Sequence, residues 1–237
     1  MINSLRYPII DTLRGFAIVA MIAYHFGFDL NLQGYIVQDI NHSIAWQIAR
    51  TVILGTFILV AGFSLTLATQ STLKHRLARL GRIVVCAFLV SVVSFFMFPD
   101  SWIFFGVLHF IVIASLASLA LAQKEKLLLP LGFMIVGIGC FVHSSIFDQT
   151  LLQWIGMMTY KPITEDYVPI FPWMGVMLIG VYLGKWVIRQ KNLLQFNIRL
   201  RAPLKPLNWL GRHSLAVYML HQPLLLGGLW LFGVKFR

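Results

Sequence analysis

Residues 83–122 read IVVCAFLVSVVSFFMFPDSWIFFGVLHFIVIASLASLALA. Asp100 is the only formally charged side chain in that stretch, and Pro99-Asp100-Ser101 separates two apolar runs. A helix of about 20 mostly apolar residues spans the hydrocarbon core of a bilayer. The two runs therefore read as membrane helices over 83–98 and 102–122. So short a link makes them antiparallel neighbours. The same pattern recurs on both sides, at 9–27 and 43–68 before them and at 127–146, 170–187 and 207–232 after. The whole 237-residue chain is 59% hydrophobic and 11% charged, with a mean hydropathy of +0.80. Soluble domains carry about 25% charged residues, and disordered chains need low hydrophobicity. Both classes are excluded. The expectation is an all-α polytopic membrane helix bundle in a lipid bilayer. It has about seven transmembrane helices and a single domain over 1–237. The first span does not read as a signal peptide, because no small-residue cleavage pattern follows it and Asp11 and Arg14 interrupt its start.

Charge sets the expected orientation. The net charge is +11, which in a membrane chain reflects basic cytoplasmic loops and not a nucleic-acid partner. Lys74, Arg76, Arg79 and Arg82 follow the second span, and Lys124 and Lys126 follow the fourth. Lys185, Arg189, Lys191, Arg199, Arg201, Lys205 and Arg212 lie in the region from the end of the sixth to the start of the seventh. Asp29, Asp39, Asp100, Asp148, Glu165 and Asp166 fall on the other side, with Arg50, Lys161, Lys235 and Arg237. The positive-inside rule puts the N-terminus in the cytoplasm and the C-terminus outside. Cys86 and Cys140 lie in apolar runs and read as small core residues. Gly132, Gly137, Gly139, Gly175, Gly180 and Gly184 suit close helix packing.

Ionisable residues inside apolar spans are costly, so each is a candidate site. Asp11, Arg14, Ile18, Met21, His25 and Asp29 are spaced by three and four and share one helix face. Asp11 and Arg14 are spaced for an ion pair at the cytoplasmic end. His25 lies about 21 Å further along the helix, near the outer surface. If the helix continues, Asp29 follows it by one turn, where a carboxylate can hold an imidazole tautomer. His109 falls about 10 Å below the outer surface. Ser214, Tyr218 and His221 share a face of the last span, with His221 in its outer half. Three histidines on three helices thus reach outer-half depths, although periodicity does not show that they meet. There is no metal-ligand spacing, and no metal is expected. Before the sixth span, Asp166-Tyr167-Val168-Pro169-Ile170-Phe171-Pro172-Trp173 reads either as an interfacial aromatic belt with helix-start prolines or as part of a sugar pocket.

Four segments together resemble one family. Asp11-Thr12-Leu13-Arg14-Gly15 followed by Ala23-Tyr24-His25-Phe26 is similar to the opening of the heparan-α-glucosaminide N-acetyltransferase family and its small bacterial relatives. Phe105-Gly106-Val107-Leu108-His109 and the 166–173 stretch followed by Gly175 resemble the bacterial members. Leu210-Gly211-Arg212-His213-Ser214-Leu215-Ala216-Val217-Tyr218-Met219-Leu220-His221-Gln222-Pro223 looks like a last-helix signature of bacterial membrane acyltransferases. The lysosomal enzyme is larger, with a lumenal domain and additional helices. Its asparagine aligns with His25, and its proposed active-site histidine lies in the loop after the first span, which here contains His42.

The resemblance implies a transmembrane acyltransferase. It would move acetyl from cytoplasmic acetyl-CoA to a sugar amine or hydroxyl outside, in a bacterial inner membrane. The expected base is His25 oriented by Asp29, with His109 and His221 as second choices. Ser214 and Tyr218 would stabilise the oxyanion and line the substrate site with Asp166 and Trp173. Arg14, paired with Asp11, and Arg79, Arg82 and Arg212 would hold the CoA phosphates. The partners are acetyl-CoA and a glycan acceptor, with a second copy of the chain as a homodimer partner. The alternatives are a transporter or proton/solute permease, or a non-catalytic partner in a polysaccharide system. The orientation has a direct test. A topology reporter fused after Arg237 is expected to read extracytoplasmic. A cytoplasmic reading would remove one span and put His221 at the wrong depth.

Overall fold

Apolar surroundings offer no water to backbone N–H and C=O groups, so a chain this hydrophobic satisfies them within helices. The computed structural model describes residues 8–40, 43–68, 72–121, 123–190 and 204–232. Among the described residues it has eight α-helices and no strand. They are α1 (Pro8–Leu32), α2 (Ile44–Ala68), α3 (Leu73–Met97), α4 (Val107–Leu121), α5 (Glu125–Phe141), α6 (Ile170–Arg189), α7 (Lys205–Arg212) and α8 (Ser214–Leu231). Two 3-10 turns, Ser145–Asp148 and Gln153–Ile155, lie between α5 and α6. The protein is an all-helical membrane protein: α1, α2, α3, α6 and α8 are each long and apolar enough to cross a bilayer. At 15 and 17 residues, α4 and α5 are shorter.

Several sequence boundaries are corrected. α3 starts ten residues before the expected 83, so Lys74, Arg76, Arg79 and Arg82 sit on its first turns and not in a loop. Lys and Arg are good helix formers, so the helix runs through this polar stretch and through Gly81 without a break. The last span starts later than 207, because the chain leaves helical geometry at His213 (φ −104°, ψ 23°). Arg212 therefore ends α7, and Ser214 opens α8. The fourth helix starts at Val107 and not at 102. α1 continues past 27 to Leu32, which keeps Asp29 helical one turn beyond His25. Cys140 is exposed and Cys86 half-buried, so neither is the buried core thiol expected. Lys191, Arg199, Arg201, Lys235, Arg237 and His42 lie outside the described residues.

The chain divides into two compact units. A central unit is built on residues 58–196, and a terminal unit on 6–57 and 197–237. In the central unit, glycines set the helix spacing. Gly132 of α5 and Gly175 of α6 press against each other's turns: a Cβ at Gly175 would meet the Gly132 carbonyl, and one at Gly132 would come 3.0 Å from the Gly175 carbonyl. Gly180 lies against the Leu59 carbonyl, and Gly184 against Thr66. Gly139 abuts Pro172, whereas Gly137 has nothing within 4 Å and is no packing residue. Phe110, Ile58, Leu128, Met177 and Leu178 are fully buried in this unit.

The non-helical segment before α4 is satisfied by side chains. Ser91 of α3 donates to the Ile103 carbonyl at 2.6 Å, and Ser94 accepts from the Ile103 amide at 2.9 Å. The loop before α6 runs beside the same segment. Its Glu165 and Val168 amides donate to the Ser101 and Phe105 carbonyls, and Thr164 donates to the Trp102 carbonyl. Irregular backbone at membrane depth needs such cover from protein.

In the terminal unit, α7 packs closely on the start of α1. A Cβ at Gly211 would collide with the Asp11 carbonyl, and one at Gly15 with the Leu207 carbonyl. Asn208 donates to the Pro8 carbonyl at 2.9 Å. Further along α1, Gly27 admits the Trp46 ring of α2, and Trp46 lies edge-on to Tyr24 at 5.1 Å.

Candidate active site

In the terminal unit, α1 and α8 bring four polar side chains together. The His25 and His221 rings lie 5.0 Å apart at 65°. One turn beyond His25, Asp29 is 3% exposed, and its Oδ1 accepts a hydrogen bond from Gln222 Nε2 at 2.9 Å. A carboxylate can only accept, so the nitrogen of the Gln222 amide faces it. His221, 8% exposed, has its Nδ1 2.5 Å from the Tyr218 carbonyl. A carbonyl also only accepts, so Nδ1 carries the hydrogen and Nε2 of the neutral ring holds a lone pair. That Nε2 is buried with no partner among the described residues, as is Gln222 Oε1. Tyr218 lies 5.6 Å from His221, ring to ring. Pro223, inside α8, removes a ladder hydrogen bond beside this turn. Ser214 is half-buried at the start of α8.

Arg14 works at the other end of α1. Its Nη1 donates to Asp11 Oδ1 at 2.9 Å and to the Gly211 carbonyl at 3.0 Å. The guanidinium thereby ties α1 to the last turn of α7, and both partners of the ion pair are largely buried. Arg212, the next residue after Gly211, is exposed.

The other sequence candidates belong to the central unit. His109 Nδ1 accepts from the Gly106 amide at 3.3 Å, and its Nε2 lies 3.1 Å from Ser91 Oγ. Ser91 spends its own hydrogen on the Ile103 carbonyl, so His109 is the donor in that pair. Both ring nitrogens are thus engaged within the protein. Asp166 Oδ2 accepts from the Val107 amide at 2.8 Å and covers Gly106, where a Cβ would collide with it. A carboxylate at the first amide of α4 suits the helix dipole. Trp173 is half-buried on the first turn of α6, and Arg79 and Arg82 are exposed on α3.

The central unit also carries two open clefts. One, of about 240 Å³, lies in the 143–169 loop and is lined by His143, Tyr160, Lys161 and Tyr167. The Tyr167 hydroxyl donates to the Gln153 carbonyl at 2.5 Å, and burial raises its pKa, so it stays protonated. The second, of about 650 Å³, is lined by Lys124, Lys126, Tyr182 and Arg189 where α5 starts and α6 ends. Glu125 there pairs with Arg189 and, at 3.8 Å, with Lys185. Among the described residues no group of three or more His, Cys, Asp or Glu side chains is placed to hold a metal ion.

Sequence reasoning placed His25 and Asp29 on one face and His221 at matching depth. It missed Gln222 and Ser91. Both are polar groups inside apolar runs, and that signal alone could have raised them.

Comparison with known proteins bears on the whole arrangement. The family model described as "Heparan-alpha-glucosaminide N-acetyltransferase, catalytic" matches residues 6–223. No curated protein and no solved structure matches the chain.

The role of Arg14 as a tie is testable. Arg14→Met leaves the Asp11 carboxylate and the Gly211 carbonyl without their donor. It is expected to lower stability in detergent by about 1–3 kcal/mol. Arg14→Lys should recover only part of this, because an ammonium lacks the planar fork. Thermal melts of the purified variants measure both; a wild-type melt for Arg14→Met would remove the tie.

Proposed function

Because this chain belongs to the heparan-alpha-glucosaminide N-acetyltransferase catalytic family, we propose that it moves an acetyl group from cytoplasmic acetyl-CoA to a sugar amine or hydroxyl on the outer side of a bacterial inner membrane. The observation that carries this reading is the contact of half-buried His25 with buried His221, with the buried Asp29 carboxylate one turn away.

The chemistry needs a base for the nucleophile, donors for the oxyanion and a place for the CoA phosphates. His221 Nε2 is the base: its tautomer is held by the Tyr218 carbonyl and its lone pair is uncommitted. His25 lies against the ring, and Asp29 supplies a counter-charge to the imidazolium that forms. As the acceptor attacks the thioester carbonyl, its proton goes to His221. The C–S bond then breaks, and the CoA thiolate takes a proton back. Tyr218 and Ser214 supply hydroxyls for the oxyanion. His109, with both nitrogens engaged, shapes the loop that Asp166 and Ser91 hold.

For the donor, Arg79 and Arg82 are exposed in the central unit and Arg212 in the terminal unit, each a candidate phosphate contact within its own unit, while Arg14 ties α1 to α7. Within the central unit, the cleft at Lys124, Lys126 and Arg189 offers further cationic surface. In the central unit, Trp173 and the aromatic 143–169 loop offer faces on which sugar rings stack. This topology keeps the anionic donor and the sugar on opposite sides of the bilayer.

The test uses purified protein, acetyl-CoA and a glucosamine-terminated acceptor, with release of free CoA thiol as the readout. Wild type is expected to release thiol only when the acceptor is present. His221→Ala and His25→Ala should each lower single-turnover transfer by about 10² to 10⁴. Acetyl-CoA affinity should be nearly unchanged in both. No acceptor-dependent thiol from the wild type would sink the reading.

A further inference from the structure

His221 and Gln222 are consecutive in α8, and each uses one polar atom on the protein and leaves an acceptor atom buried without a donor. His221 Nδ1 is held by the Tyr218 carbonyl, and Gln222 Nε2 by Asp29 Oδ1. His221 Nε2 and Gln222 Oε1 are the atoms left over. Buried acceptors without donors are uncommon, because each costs about 1–3 kcal/mol. Neighbours on a helix normally diverge by about 100°. Here both side chains reach the same face of α1: His221 meets His25, and Gln222 meets Asp29 one turn later. The four residues from His25 to Asp29 rise about 6 Å along that face. A single nitrogen donating two hydrogen bonds of about 2.9 Å at a tetrahedral angle spans acceptors about 4.7 Å apart.

We propose that Gln222 is an acceptor-binding and specificity-determining residue: its Oε1 takes one hydrogen of the attacking amine while His221 Nε2 takes the other. This rests on the acyl-transfer reading above. The balance of hydrogens gives the two atoms different roles. A neutral amine carries two N–H bonds. As the C–N bond forms and the C–S bond breaks, one proton passes to His221 and then to the CoA thiolate. The other stays on the amide product, held by Gln222 throughout. A hydroxyl has one hydrogen, which goes to His221 and leaves Gln222 Oε1 without a donor. Gln222 therefore favours amine over hydroxyl and sets N- against O-acetylation.

The experiment compares kcat/KM on two matched acceptors that differ only in bearing an amine or a hydroxyl at the reacting carbon, with acetyl-CoA as donor. Wild type is expected to prefer the amine. Gln222→Leu also removes the donor to Asp29, so it should slow both acceptors, and the amine about 10- to 100-fold more than the hydroxyl. Gln222→Glu keeps an acceptor oxygen, and as a protonated acid it can still donate to Asp29, so it should retain the preference. This second variant tests the idea even if the leucine variant does not fold. If Gln222 only holds Asp29 in place, Gln222→Leu slows both acceptors by the same factor, and the proposal fails. It also fails if the wild type prefers the hydroxyl, or if Gln222→Glu loses the amine preference; in either case acyl transfer itself still stands. Should the wild type transfer acetyl to neither acceptor, the acyl-transfer reading falls, and this inference with it.

Discussion

A carboxylate that is 3% exposed within an apolar helix must have donors, and one of those holding Asp29 comes from Gln222 of α8. The hydrogen bond joins residues 193 apart in sequence. It fixes which face of α8 turns toward α1, and that face carries His221. The contact between the two histidine rings follows from it. At the other end of α1, Arg14 and the paired glycines Gly15 and Gly211 perform the equivalent task against α7. The first membrane helix is thus held to the last segments of the chain at both ends by polar ties and by backbone-to-backbone approach. Membrane proteins rely on such interactions because lipid offers no hydrophobic drive to bring helices together.

The central unit obeys the same constraint through different residues. Its helices approach at Gly132, Gly175, Gly180 and Gly184. The irregular stretch before α4 is covered by Ser91, Ser94, His109 and Asp166. The two residues among these that looked chemical in the sequence, His109 and Asp166, bond to backbone groups around that stretch.

Much of this was legible in the sequence because hydropathy reports directly on membrane helices. The long spans at α2 and α6 were placed closely, and the start of α1 within one residue. Boundaries failed where charge and helix coexist. The basic first turns of α3 read as a loop, although Lys and Arg are good helix formers. The break at His213 is only weakly marked in the sequence: Gly211 stands two residues before it, but no proline does. For the site, periodicity placed Asp11, Arg14, His25 and Asp29 on one face. It could not say what those residues meet, since His221 and Gln222 come from the far end of the chain. A lone glutamine beside a histidine carries no spacing signal. Its role emerges only when α8 is laid against α1 and its amide is seen to be half used.

The central claim is that His25 and His221 act as one catalytic unit. The most direct test is a double-mutant cycle on single-turnover acetyl transfer, with His25→Ala, His221→Ala and the double variant. Residues that serve one step are non-additive. The double variant should therefore be about as slow as the slower single variant. Losses that multiply in the double variant would mean that the two histidines act independently, and the account of the site would be wrong.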